Sequence, residues 1–159
     1  MGRYAFLLAA AIALFGALLH FAAPLLGPDW YAFLRAPAAV VASARRGTAL
    51  APAGSLLIGA LMLVCALYAL AGAGAAWLRW LPFAPQAQGT IAAVCLLRGL
   101  LLAPHMLKFP ALVSTFDILA SVIWLVTGAA FVLGILVRQP RASVAPVAEI
   151  APLRGQTGS

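Results

Sequence analysis

From Tyr4 to Leu26 the chain carries no charged residue, and three further stretches, about 49–71, 88–107 and 111–137, are apolar over a comparable length with Arg98 and Asp117 as their only charges. The hydrocarbon core of a bilayer is about 30 Å thick, which an α-helix crosses in roughly 20 residues. A segment in lipid must satisfy its own backbone polar groups, so each run is expected to be a helix. Four helices in sequence alternate direction, and the expected fold is all-α, a membrane antiparallel four-helix bundle occupying 1–138. Only 8% of the 159 residues are charged and 65% are hydrophobic. Soluble domains carry about 25% charged residues, and one of this size could not cover so much apolar surface.

The first run follows Arg3 but has no small-x-small cleavage site and is longer than a signal core, so it reads as a retained span. Ala9, Ala13, Gly16 and His20 share one helical face with Ala17 beside them, and Ser55 and Gly59 form a small-xxx-small pair in the second run. Such stripes let a neighbouring backbone approach closely, either inside the bundle or between copies. The connection 27–48 has internal punctuation. Pro28 and Asp29 suit a helix start with Asp29 as N-cap, and Pro37 suits the first turn of a second helix ended by Arg45, Arg46 and Gly47. Two short interfacial helices are expected there, with Trp30 and Tyr31 as headgroup-level anchors, a role also expected of Trp77 and Trp80 in the second loop. Gly72-Ala73-Gly74 follows a span and not a strand, so it is no dinucleotide fingerprint. Residues 139–159, rich in Pro, Ala and Ser without a period, read as a disordered tail.

The net charge of +7 comes from Lys and Arg placed singly or in pairs, mostly at the ends of apolar runs. That is the pattern of a bilayer protein and not of a nucleic-acid surface. Arg3, Arg79, Arg138 and Arg141 balance Arg35, Arg45, Arg46 and Lys108 across the membrane, and Arg154 with the initiating amine tips the termini towards the cytoplasm. Cys65 and Cys95 have no metal or disulfide-framework spacing and read as small packing residues. The chain has no nucleophile–base pair, zinc pattern, paired carboxylates or phosphate loop, so no catalytic residue, metal or cofactor is assigned.

What chemistry there is gathers around Arg98. A guanidinium at bilayer depth costs roughly 2.5–3.5 kcal/mol on insertion scales and asks for a partner. Counting helical rise from the expected span ends places His20, Arg98 and Asp117 at similar depth, and the third and fourth spans must be neighbours. The expectation is an Arg98–Asp117 ion pair, with His20 and His105 completing a polar pocket. Such a group either fixes helix register or binds a ligand, ion or proton. Three roles follow: a non-enzymatic membrane component, forming a homo-oligomer through the small faces of the first or second span or joining another membrane subunit; a small transporter or ligand-binding protein; or a quinone- or haem-linked redox accessory.

The stretches LGPDWYAFLRAP, CALYALAGAGAAWLRWLPF and CLLRGLLLAP resemble, in order and spacing, an uncharacterised family of small four-span membrane proteins of Gram-negative bacteria. The likeness covers roughly Leu19 to Gly134 and places Trp30, Tyr31, Tyr68, Gly72, Gly74, Pro82, Arg98, Gly99 and Pro104 at matching positions. It implies the four-span architecture and a bacterial inner membrane. Ala36-Pro37-Ala38 stands where that family has a glycine and an acidic residue. His20-Phe21 followed by Pro28 and Tyr31 is similar to DoxX-like four-helix proteins, which implies a redox or quinone partnership.

Overall fold

The computed structural model describes residues 1–138, and the tail expected over 139–159 lies outside them. Four long apolar helices form the bundle: α1 (Gly2–Leu26), α4 (Leu50–Gly72), α5 (Ala84–Leu100) continued by α6 (Leu102–Lys108), and α7 (Thr115–Arg138). Two short helices, α2 (Pro28–Phe33) and α3 (Ala38–Arg45), fill the first connection. The architecture is therefore a four-span bundle with a helical first loop, as the runs and the Pro/Gly punctuation imply. α1 packs against both α4 and α7, α5 packs against α7, and a lighter α4–α5 contact completes the ring.

Small residues set the helix spacing. Phe6 is fully buried, its ring lying so close to Gly72 of α4 and Gly134 of α7 that a Cβ on either glycine would come within 2.7 Å of it. Phe131 meets the same ring edge-on at 5.9 Å. Ala9, Ala13 and Ala17 are buried, and Phe21 covers Gly59. The small faces of the first two spans are thus packed inside the bundle. Gly99 and Gly128 do the same work between α5 and α7, receiving Leu125 and Leu96 respectively.

Helix ends follow hydrogen-bond logic. In α2, α3 and α4 the N–H groups of C′ and C″ bond back to the carbonyls of C2 and C3: Arg35 to Ala32 and Ala36 to Tyr31, Gly47 to Ala44 and Thr48 to Ser43, Gly74 to Ala71 and Ala75 to Leu70. These are Schellman motifs, which need a left-handed residue at C′. Gly47 and Gly74 supply it without strain, whereas Arg35 adopts φ 57° with a side chain attached. Asp29 sits in the first turn of α2 and Gly27 is the N-cap, two residues earlier than expected. Pro37 likewise is the N-cap of α3 and not a first-turn residue.

Two spans differ from their expected limits. The third begins at Ala84 and is interrupted at Leu101, so that Pro104 lies in the first turn of α6, where its missing N–H is no loss. The fourth begins at Thr115, four residues later than expected, because Pro110–Leu112 forms a 3-10 turn and Val113 is extended.

Since Phe6 fills the space between two glycines, enlarging either glycine is overpacking. Gly134→Leu and Gly72→Leu are each expected to destabilise the bundle by about 1–3 kcal/mol. Unfolding in mixed detergent and SDS micelles measures the loss, and Leu133→Ala, on the exposed face of α7, is expected to cost far less.

Candidate functional site

Asp117 is where the expected constellation comes apart. With α7 starting at Thr115, Asp117 is the third helical residue and Ser114 the N-cap. The Ser114 N–H donates to Asp117 Oδ2 at 2.9 Å, the Ser114 hydroxyl donates to the same oxygen at 2.7 Å, and the Asp117 N–H donates back to Ser114 Oγ at 3.3 Å. This is a capping box at the mouth of the bundle. The carboxylate also accepts a hydrogen bond from Arg35 of the first loop at 3.4 Å, the two side chains being 50% and 31% exposed. Surface pairs of this kind are worth about 0–1 kcal/mol.

Arg98 does not reach Asp117. The contact face of α5 is built from Gln88, Ala92, Cys95 and Gly99, and a rotation of about 100° per residue turns Arg98 away from it, to the outer surface. Arg98 makes no salt bridge among the described residues. His105 is exposed on α6, stacked at 5.6 Å on Phe109, while His20 lies half-buried on α1. The Arg98–Asp117 pair expected at the centre of the pocket is thus not made, and Asp117 pairs with Arg35 instead.

What the structure brings together instead lies under the first loop. α2 and α3 fold across the end of α1 and the start of α4, with Tyr31, Ala23 and Ala51 at the centre of a small core flanked by Trp30, Leu34 and Val40. Ser43, buried on α3, accepts a hydrogen bond from the Ala51 N–H at 3.1 Å and so caps α4, while the Trp30 indole donates to the Leu19 carbonyl of α1 at 3.4 Å. Phe33 meets Phe116 of α7 at 6.0 Å. Trp77 and Trp80 are exposed in the second loop, whereas Tyr31 turns inward and is only 5% exposed. Its position as C3 of the α2 Schellman motif, directly contacting the cap core, is the reason.

Beneath this cap is a cavity of about 250 Å³ lined by His20, Tyr31, Arg35, Ser55, Val40 and Ile58 among others. The Ser55 hydroxyl is committed to the His20 carbonyl at 2.7 Å. The Tyr31 hydroxyl is buried without a hydrogen-bond partner. Burial pushes the Tyr31 phenol above its usual value near 10, an effect the neighbouring Ser55 only offsets in part, so the group is a protonated donor throughout the neutral range. Tyr31, Ser55 and Arg35 were absent from the expected site. The signal for Tyr31 is its place three residues after Pro28 in an amphipathic turn; that for Asp117 is the Ser114-x-x-Asp117 spacing, which is a capping-box pattern.

An unsatisfied buried hydroxyl carries a desolvation cost that a bonded one does not. Tyr31→Phe is therefore expected to leave the protein as stable as before, or more stable by up to about 1 kcal/mol, whereas Ser55→Ala and Ser114→Ala each lose a made bond and about 1 kcal/mol. SDS titration of the three variants in micelles compares them directly. Comparison of the chain with family models, with curated proteins and with solved structures finds no match, so the geometry itself carries the functional reading.

Proposed function

We propose that the protein is a non-enzymatic component of a bacterial inner membrane, with cytoplasmic termini, that works by packing against another membrane protein through the outer face of α5. The observation that carries this reading is Arg98. It lies on the outward side of α5, ten residues before Lys108, or about 15 Å along a helix, in a span flanked outwardly by Val94, Leu97 and Leu101. Held among acyl chains, a guanidinium costs roughly 2.5–3.5 kcal/mol, a cost only reduced by bending its stem towards the interface. A partner carboxylate at the same depth removes that cost and gains a charge-assisted bond in a medium that strengthens it.

A second copy of this chain is a poor donor of that carboxylate, because its described acidic residues, Asp29 and Asp117, both lie near helix starts at the first-loop face. The occupant is therefore a transmembrane helix of a different protein bearing Asp or Glu at mid-depth. The inner-membrane placement rests on the resemblance to small four-span bacterial proteins.

A photoreactive residue at Leu97 is expected to give, in native membranes, one adduct whose crosslinked segment is a membrane span containing an acidic residue. Arg98→Leu is expected to abolish the adduct while the bundle remains folded, and Arg98→Glu paired with Asp or Glu→Arg in the partner to restore it. Adducts to lipid alone, or adducts indifferent to Arg98→Leu, would refute the reading.

A further inference from the structure

We infer that the cavity beneath α2 and α3 is a binding site for a single-chain amphiphile with a carboxylate head, such as a medium-chain fatty acid. Its polar side chains are few, and one of them is charged. Tyr31, more than nine-tenths buried, lines the cavity, and its hydroxyl has no hydrogen-bond partner among the described residues. The His20 imidazole makes no side-chain hydrogen bond among the described residues and offers at least one N–H in any protonation state. Arg35 uses one guanidinium nitrogen on Asp117 at 3.4 Å and keeps further N–H groups at the mouth. Ser55, by contrast, has already given its proton to the His20 carbonyl. No carboxylate lines the cavity. Arg35 is the one charged residue of this lining and keeps N–H groups free beyond its Asp117 bond, so the lining favours an anionic head that can accept from Arg35, from Tyr31 and from a His20 N–H. A carboxylate meets both requirements with two oxygens.

The remaining walls select the rest of the ligand. Leu34, Val40 and Ile58 are apolar, and Ile58 is partly exposed on α4, so the lining reaches the apolar outer surface of that span. A volume of about 250 Å³ lies below the roughly 300–1,000 Å³ of pockets that enclose a drug-sized molecule. It holds a head and the first carbons of a chain whose remainder lies in lipid. Arg35 adds a geometric argument. It accepts a left-handed backbone at C′ of α2, where Gly47 and Gly74 serve the equivalent positions of α3 and α4, and that conformation sets its side chain between the cavity mouth and Asp117.

The test uses the full chain in zwitterionic phosphatidylcholine nanodiscs, titrated with decanoate labelled with carbon-13 at the carboxyl and followed by NMR. A saturable second carboxyl resonance is expected. Tyr31→Phe is expected to weaken binding about tenfold, and Arg35→Gly, which suits the left-handed backbone while deleting the charge, by at least as much. Decanol and decyltrimethylammonium are expected not to displace the label. Circular dichroism and SDS titration establish that both variants are folded before binding is compared. Absence of a saturable signal, equal affinity for decanol, or full affinity in folded Tyr31→Phe protein would overturn the assignment; the first of these is also the result expected if a trapped water satisfies the Tyr31 hydroxyl. The α5 crosslink is independent of all three outcomes.

Discussion

Close contact between α1, α4 and α7 around Phe6 is what the remaining structure depends on. Within lipid there is no hydrophobic drive to bring helices together, so association rests on van der Waals packing at short range. One aromatic ring between two glycines, met edge-on by a second ring at 5.9 Å, brings three spans to that range at once. The polar stitches follow from it. Ser55 reaches the His20 carbonyl and Gln88 reaches the Tyr68 carbonyl at 2.9 Å because the small residues have already brought those helices together. α1 thereby becomes the shared wall of the bundle, and its C-terminal end becomes the floor on which the first loop folds.

How much of this was legible in the sequence divides by length scale. Spans, their order and the two helices of the first loop are written in apolar runs of fixed length and in Pro/Gly punctuation, and they appear in that order, with the limits of the third and fourth spans shifted. The direction of individual side chains was less accessible. Arg98 was treated as a charge that must turn inward, an argument from its own cost alone. The contact face of α5 is decided by which residues let α7 approach, and Gly99 and Cys95 mark it from within the sequence. Once Gly99 faces α7, helical geometry sends Arg98 elsewhere. Placement of Asp117 failed for a related reason. An apolar run suggests a helix from its first residue, whereas Pro110 and the Ser114-x-x-Asp117 pattern argue for a later start. A shift of four residues moves a side chain about 6 Å along the axis, from bilayer depth to its edge.

The Tyr31 site was illegible for a different reason. Sequence position makes an aromatic residue next to a span look like an interfacial anchor, and Trp30, its neighbour, does keep one edge outward. The tyrosine is turned in by a chain of local events: Gly27 reverses the chain with φ 87°, Pro28 starts a helix of six residues, and the Schellman bonds to Tyr31 and Ala32 end it. None of these steps alone indicates a cavity. Only their sum, laid over an α1 whose position is itself set by Phe6, puts the phenol above His20 and Ser55.

The cap is held unequally on its two sides, and this bears on how its cavity communicates with the rest of the bundle. On the α1/α4 side it is anchored by a buried apolar core, by the Ser43 bond to the α4 backbone and by the Trp30 bond to α1. On the α7 side it has one half-exposed ion pair and one edge-to-face aromatic contact between Phe33 and Phe116. Contacts of the second kind are individually worth about 1 kcal/mol or less in exposed positions. Arg35 belongs to both the weak seam and the cavity lining, so any anion that competes with Asp117 for its guanidinium acts on the attachment of the cap to α7. Asp117 keeps its capping-box bonds when that happens, and α7 keeps its start. The energetic consequence therefore falls on the seam alone, which makes the α2–α7 contact the place where occupancy of the cavity would be felt by the fourth span.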